Sequence, residues 1–378
     1  MSRARALLER LRRSPRALAV VAILGVLVVA AVADVPGRLA SLAPSDTTAT
    51  PAPARTTDGG RLTGLVNADN AELDRCEPGA DDLARCGRPP ALDGTSWLNT
   101  PGGRPVDLAD LAGSVVLVDF FSISCISCRR DLRYVQEWED RYQDAGLRIV
   151  GVHSPEIDVD RDTDRLGRAL DRLFVDFPVM QDEGFAALTD YRTQVLPSRY
   201  LVGRDGQVRA IALGEGGYVR IEDQIRDLLA VGGTTLPEPV GRLDDGEETE
   251  TGTTRQIDLG TTRRAPDQSA AAGSGTEFVL PESQRLGTYS LGGAWTIRPQ
   301  DAAPGDEAVA RVSYRGRTAY QLVSGTGSLV VTTSSGMTRR IRVDGEADLL
   351  PVHAAAYGRE TLTIRYEGDL RVYAFSFG

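Results

Sequence analysis

An α/β domain followed by an all-β domain, behind a single N-terminal membrane segment, is the architecture the sequence predicts. Three observations predict it. An Arg-rich start runs into an uncharged apolar segment. A strand, a helix and a second strand of parallel-sheet length begin at Val115. From Tyr289 to the C terminus, short runs of alternating apolar and polar residues recur between turn signals. At about 150 residues per domain, 378 residues allow two or three domains.

The first sixteen residues hold six arginines and one glutamate, and Ala17–Ala33 then carries no charge. Seventeen residues is the lower limit for a spanning helix and long for a signal-peptide core. Basic residues before the segment and Asp34 after it orient its N terminus inside. The expectation is a single-pass cell-membrane protein with its bulk extracytoplasmic. Ala31-Val32-Ala33 also fits a small-residue cleavage site, so a cleaved, secreted form is the alternative. Disulfides persist in either place. A net charge of −10 argues against nucleic acid as a partner, because phosphate binding needs a basic surface. With two His, no metal site is expected, and no cofactor motif is present. The divisions follow composition: 1–34 anchor or signal, 35–87 a Pro/Ala/Thr-rich tether with a Cys pair, 88–233 the α/β domain, 234–253 an acidic linker, and 254–378 the β domain.

Val115–Phe121 is an apolar run of strand length, so it reads as a buried strand. Leu132, Val135, Trp138 and Tyr142 recur at helical spacing, and Gly146 stops that helix. Leu147–Val152 is the next strand, completing a parallel βαβ unit. A second helix carries Leu166, Leu170, Leu173 and Phe174 on one face. A short strand (177–180) and a short helix (184–191) follow. Strands 199–203 and 207–213 join across Asp205-Gly206, and a last helix holds Ile221, Ile225, Leu228 and Leu229. The predicted sheet is parallel at first and antiparallel at one edge.

Cys125-Ile126-Ser127-Cys128 lies where the first strand hands over to the first helix. A C-x-x-C pair at that junction reads as a redox-active disulfide. Free N–H groups and the helix dipole favour a negative sulfur at Cys125, with Arg129 and Arg130 adding positive charge. Cys125 is the expected exposed nucleophile and Cys128 the buried resolving thiol. A zinc half-site and a purely structural bridge are the alternatives. Asp119, within the apolar strand, is expected to have a raised pKa and to accept the Cys128 proton. Cys76 and Cys86 enclose a short polar loop and are expected to bridge each other structurally. The β domain reads as an antiparallel sandwich of about eight strands. Its Tyr289, Trp295, Tyr314 and Tyr320 fit either a sugar-stacking face or a core.

Asp119-Phe120-Phe121, the C-x-x-C pair and Pro197 before a strand resemble the thioredoxin fold. Trp97-Leu98-Asn99-Thr100-Pro101, Ser124–Cys128, Gly151–Glu156 and Gly214-Glu215-Gly216 more narrowly resemble the extracytoplasmic part of DipZ-type proteins, among the TlpA-like thiol:disulfide oxidoreductases. The resemblance runs from about 95 to 232 and on through the β domain. It implies a cis bond before Pro197, with the preceding backbone facing the cysteines. It makes His153 and Glu156 candidates for the active-site rim, with Glu156 the alternative proton acceptor. It also implies a jelly roll like a carbohydrate-binding module, with a cell-envelope sugar as a candidate ligand. Ser127 stands where that pattern has Asn, Phe121 where it has Trp, and Gln256 and Asp258 where it has Glu and Tyr. DipZ-type chains carry a multi-span electron-transporting domain, whereas this sequence has one hydrophobic segment. The expected activity is therefore a dithiol reductase of exported proteins, supplied by a separate CcdA-type membrane donor. A dithiol oxidase is the first alternative. A surface binding module with a structural disulfide is the second.

Overall fold

A computed structural model describes residues 60–378 apart from 95, 194, 232, 234, 244–249, 251 and 263–275. The predicted anchor, the first 25 residues of the tether and the most acidic stretch of the linker lie outside these residues. Among the described residues no helix is long and apolar enough to cross a membrane.

The first half contains β1 (Ser96–Leu98), β2 (Val115–Phe121), α1 (Ile126–Tyr142), β3 (Leu147–His153), α2 (Thr163–Leu173), β4 (Val179–Gln181), α3 (Ala186–Asp190), β5 (Ser198–Val202), β6 (Val208–Leu213) and α4 (Tyr218–Ala230). Its strands form one sheet in the order β1-β4-β3-β2-β5-β6. Every residue of β2 is buried, as a central strand between β3 and β5 requires. β2, β3 and β4 run parallel, which the βαβ pattern predicts. Antiparallel pairing occurs at both edges, not one. β1 joins β4 antiparallel through Trp97↔Met180, and three residues are too few for a periodicity to show in sequence.

α1 buries Leu132, Val135, Trp138 and Tyr142 on the sheet, and Gly146 closes the segment in the left-handed region at φ 101°. α2 buries Leu166 and Leu170. Phe174, by contrast, is the left-handed residue capping α2 and is partly exposed instead of lining its inner face. The Asp205-Gly206 turn connects β5 and β6 as the sequence predicts. The loop closed by the Cys76–Cys86 disulfide lies along β6. Gly79, Ala84 and Cys86 donate their amides to the carbonyls of Ile211, Arg209 and Val208. That covers a sheet edge that would otherwise offer unpaired groups.

The second half contains β7 (Ile257–Asp258), β8 (Thr276–Phe278), β9 (Thr288–Ile297), β10 (Ala302–Pro304), β11 (Val309–Thr332) and β12 (Thr338–Phe377). It is all-β, as predicted, but it is one barrel-like sheet and not a two-sheet sandwich. β9 pairs β11, β11 pairs β12, β12 pairs β10, and β10 returns to β9. The predicted short strands merge into two long bent ones. Ser324–Gly327 and Glu367–Asp369 look like turns because of their glycines, yet they lie inside β11 and β12 and pair with each other. A Cβ at Gly327 would stand 2.0 Å from the Glu367 carbonyl oxygen, and one at Gly368 2.4 Å from that of Thr326. The glycines serve close approach of two backbones, not chain reversal. Tyr289, Trp295, Tyr314 and Tyr320 are all buried, so none of them offers a face to a sugar.

Candidate active site

Cys125 and Cys128 are joined in a disulfide at the N-terminal end of α1. The connection from β2 to α1 is short, and a helix start leaves its first amides without partners. Cys125 caps the helix: its sulfur accepts the Cys128 amide at 3.1 Å, and the Ser127 hydroxyl lies 3.4 Å away. Once reduced, a thiolate there would face an amide, a hydroxyl and the positive end of a helix dipole, all of which stabilise it. Ser127 thus places a donor beside the nucleophilic sulfur. Neither cysteine has exposed surface, so Cys125 is not the exposed thiol the sequence predicts.

The loop leading to Cys125 is held by a buried carboxylate. Asp160 accepts from Ser124 Oγ at 2.7 Å and Ser122 Oγ at 3.4 Å, and it also takes a short hydrogen bond from Arg165. Arg129 donates twice to the Ile123 carbonyl, at 3.0 and 2.7 Å, and once to Asp348 of the β domain at 3.0 Å. Arg130 forms a two-pronged pair with Glu215 at 2.5 and 2.9 Å. Both arginines are therefore neutralised by acids rather than presenting free positive charge to the disulfide.

Asp119 on β2 and Asp131, three residues after Cys128 on α1, form a pair of buried carboxylates. Asp119 faces Arg199 across the β2–β5 register, and Arg199 makes an ion pair with Asp131 at 2.7 Å with both side chains buried. Arg199 is anchored further by the carbonyls of Gly214 and Gly216, at 2.7 and 3.0 Å, and lies over the Tyr218 ring. Burial, reinforced by the Asp131 charge, holds the Asp119 carboxyl well above its usual range against the pull of Arg199. Burial likewise raises Asp131 to about 6, with Arg199 opposing. One arginine between two buried acids favours one proton shared by the pair at neutral pH.

The Leu196–Pro197 bond is cis, and Pro197 is buried. Ser198 pairs with Phe120, so Pro197 stands at the sheet end from which the Cys125 loop departs. His153 and Glu156 follow at the same end of β3 but are buried, not on an open rim. Burial lowers His153 to about 4, so it is neutral and packs edge-on against Phe121. Glu156 sits in the segment wrapped around Asp160, to which its amide donates at 3.3 Å. Cys76–Cys86 lies apart, beyond β5 at the β6 edge. Among the described residues no cluster of three or more His, Cys, Asp or Glu side chains has the arrangement to hold a metal ion.

Comparison with known proteins gives relatives for both halves of the chain. The AhpC/TSA family matches residues 93–211, and the family described as "Thioredoxin like C-terminal domain" matches 246–378. Protein DipZ of Mycobacterium tuberculosis, and likewise that of Mycobacterium bovis, is 35% identical over 330 residues, covering 84% of this chain and 46% of the relative. The chain resembles the thioredoxin-like thiol-disulfide oxidoreductases. It spans about half the length of the DipZ relatives it matches. Thiol-disulfide oxidoreductase YkuV of Bacillus subtilis is 28% identical over 142 residues, 37% of this chain and 93% of that one. A solved structure, a putative thiol:disulfide interchange protein DsbE from Chlorobium tepidum, is 26% identical, with 39% of this chain and 99% of that chain covered and a TM-score of 0.33.

In this site, sequence reading missed Asp131, Arg199 and the Asp160–Arg165 pair. Asp131 carries a signal, because three residues after Cys128 it returns to the same helix face. Arg199 carries one too, as a cation at the head of a buried strand needs an acid opposite. Asp160 and Arg165 become legible only when the loop after β3 folds back beside the one before α1.

Proposed function

We propose that this chain is a membrane-anchored, extracytoplasmic dithiol reductase of exported proteins. The observation that carries it is the Cys125–Cys128 disulfide capping α1, the helix that also bears Asp131 of the buried Asp119–Asp131 pair. In the reduced enzyme the Cys125 thiolate attacks a client disulfide, forming a mixed disulfide and releasing one client thiolate. Cys128 then loses its proton and attacks the Cys125 sulfur, which releases the second client thiolate and regenerates the enzyme disulfide. Two electrons pass to the client. Asp131, anionic near neutral pH beside Arg199, is the acceptor we assign for the Cys128 proton, and Asp119 holds the proton that keeps the pair singly charged.

Reduction must then be restored from outside. We assign the electron supply to a CcdA-type membrane donor, and the apolar Ala17–Ala33 segment is long enough to hold the chain at the membrane beside it. The same segment supports the single-pass placement. The reduction potential of Cys125/Cys128 tests the direction. A value near about −250 mV supports the reductase, whereas one near about −120 mV replaces it with an oxidase of exported dithiols.

A further inference from the structure

A disulfide or thiol reacts with a protein client only if the client's sulfur can reach it in line, and Cys125 has no accessible surface. Beside it, the β domain packs on the residue that follows it. Ile126, between the two cysteines, and Ile157 and Val159, from the loop after β3, pack against Tyr320, Leu322, Ala347, Leu349 and Tyr373. Around this small apolar patch runs an ionic rim. Asp348 pairs with Arg129, and the Ala347 carbonyl accepts from Arg165 at 2.7 Å. Glu346 makes a short ion pair with Arg168 and lies 3.8 Å from Arg172. On the β-domain side the contact segment is Glu346-Ala347-Asp348-Leu349, with acidic and apolar residues alternating in an extended strand.

Two of these arginines reach both ways. Arg129 also holds the Ile123 carbonyl, and Arg165 also holds Asp160, which fixes Ser122 and Ser124. The segment is thus seated on the side chains that position the nucleophile's loop. The rim of this grip is open to solvent: Arg168 and Glu346 are 49% and 41% exposed, so water and salt screen their pair.

Building on the reductase reading, we propose that Glu346–Leu349 is a detachable pseudo-substrate. It occupies the docking surface of the client, an extended polypeptide whose apolar residues are flanked by acidic ones beside its disulfide. The surface it vacates complements such a chain: Ile126, Ile157 and Val159 in the centre, with Arg129, Arg165, Arg168 and Arg172 around them. A client displaces the segment by making the same contacts, and Cys125 is bared only when a matching chain takes its place.

The test uses the full-length reduced protein and the rate of Cys125 alkylation by iodoacetamide, followed by mass spectrometry. Rates are read on the plateau above the thiol pKa, where a change in ionisation does not count. In the E346Q/D348N double variant the plateau rate should rise at least tenfold. Arg168→Gln, which weakens the same contact from the other side, should raise it about threefold. Wild type should move toward the double variant in high salt. In the double variant, a peptide with the sequence of residues 344–350 should restore protection saturably, and one with Arg in place of its acids should not. Unchanged plateau rates in both variants overturn the cover, and equal protection by the two peptides overturns the acidic client. A faster plateau in a protein with no disulfide-reducing activity keeps the cover and removes the reductase reading.

Discussion

The molecule carries two disulfides whose first-order descriptions match. Both are intramolecular, both close short loops and all four cysteines are buried. Their surroundings differ. Cys86 donates its amide to the Val208 carbonyl, and its bridge pins a loop along the β6 edge. Cys125 caps a helix with an amide and a hydroxyl on its sulfur, and that helix bears one of two carboxyls that share one arginine. Burial alone therefore does not separate a structural bridge from a reactive one. What separates them is whether the environment stabilises a thiolate and can take up a proton.

The widest separation lies in turnover and stability. Cys125→Ser should abolish catalysed disulfide reduction, a loss of at least about a thousandfold, while leaving the melting temperature close to that of wild type with its Cys125–Cys128 pair reduced. C76S/C86S should keep turnover within about threefold and lose roughly 3 kcal/mol of stability, the chain-entropy value for a loop of this size. Denaturant titration and a reductase assay on the same preparations check both. Equal effects from the two replacements would end the distinction. Within the reactive pair, Cys128→Ser should accumulate mixed disulfides with clients and Cys125→Ser should not. Diagonal electrophoresis reads this directly, and the reverse pattern reassigns the nucleophile.

How much of this was legible divides along the same line. The βαβ unit and the C-x-x-C at its junction read directly, because β2 is apolar throughout and α1 repeats at helical spacing. The β domain read only as a class. Gly325, Gly327 and Gly368 carry the composition of turns but sit where two long strands cross, and only the pairing of β11 with β12 tells the two uses apart. In the site, Asp119 was visible as an acid in an apolar strand. Its partners were not, since Arg199 and Asp131 reach it through strand register and helix packing. The packing of Ile126, next to Cys125, was invisible for a stronger reason: its partners lie about two hundred residues away in the chain.

The carboxylate pair sharpens the comparison at a finer scale. If Asp131 takes the Cys128 proton, resolution of the mixed disulfide should speed up as pH rises through about 6, where Asp131 ionises, and then level off. Asp131→Asn should slow that step by ten- to a hundredfold near neutral pH, with recovery toward high pH as Cys128 ionises unaided. Stopped-flow measurement of client release in wild type, Asp131→Asn and Glu156→Gln decides. An unchanged profile in Asp131→Asn with a flattened one in Glu156→Gln moves the acceptor to Glu156.

The smallest expected effect concerns what the buried acid costs the fold. Asp119 binds its proton more tightly folded than unfolded, because burial and the Asp131 charge oppose its ionisation. An unfolded aspartate releases its proton near pH 3.9. Below that value both states are protonated and the raised pKa has no effect on stability. Above it the unfolded chain gains by ionising while the folded one does not, so the penalty accrues with rising pH until the folded group ionises too. Asp119→Asn removes the penalty and keeps the shape. The melting temperatures of wild type and variant should therefore coincide near pH 4. The variant should pull ahead as pH rises, by on the order of a few degrees at pH 7. A single melting series across that range checks the sign. A gap that closes with rising pH would mean that Asp119 is charged in the folded protein, with Arg199 as its counter-ion, and that the shared proton resides on Asp131 instead.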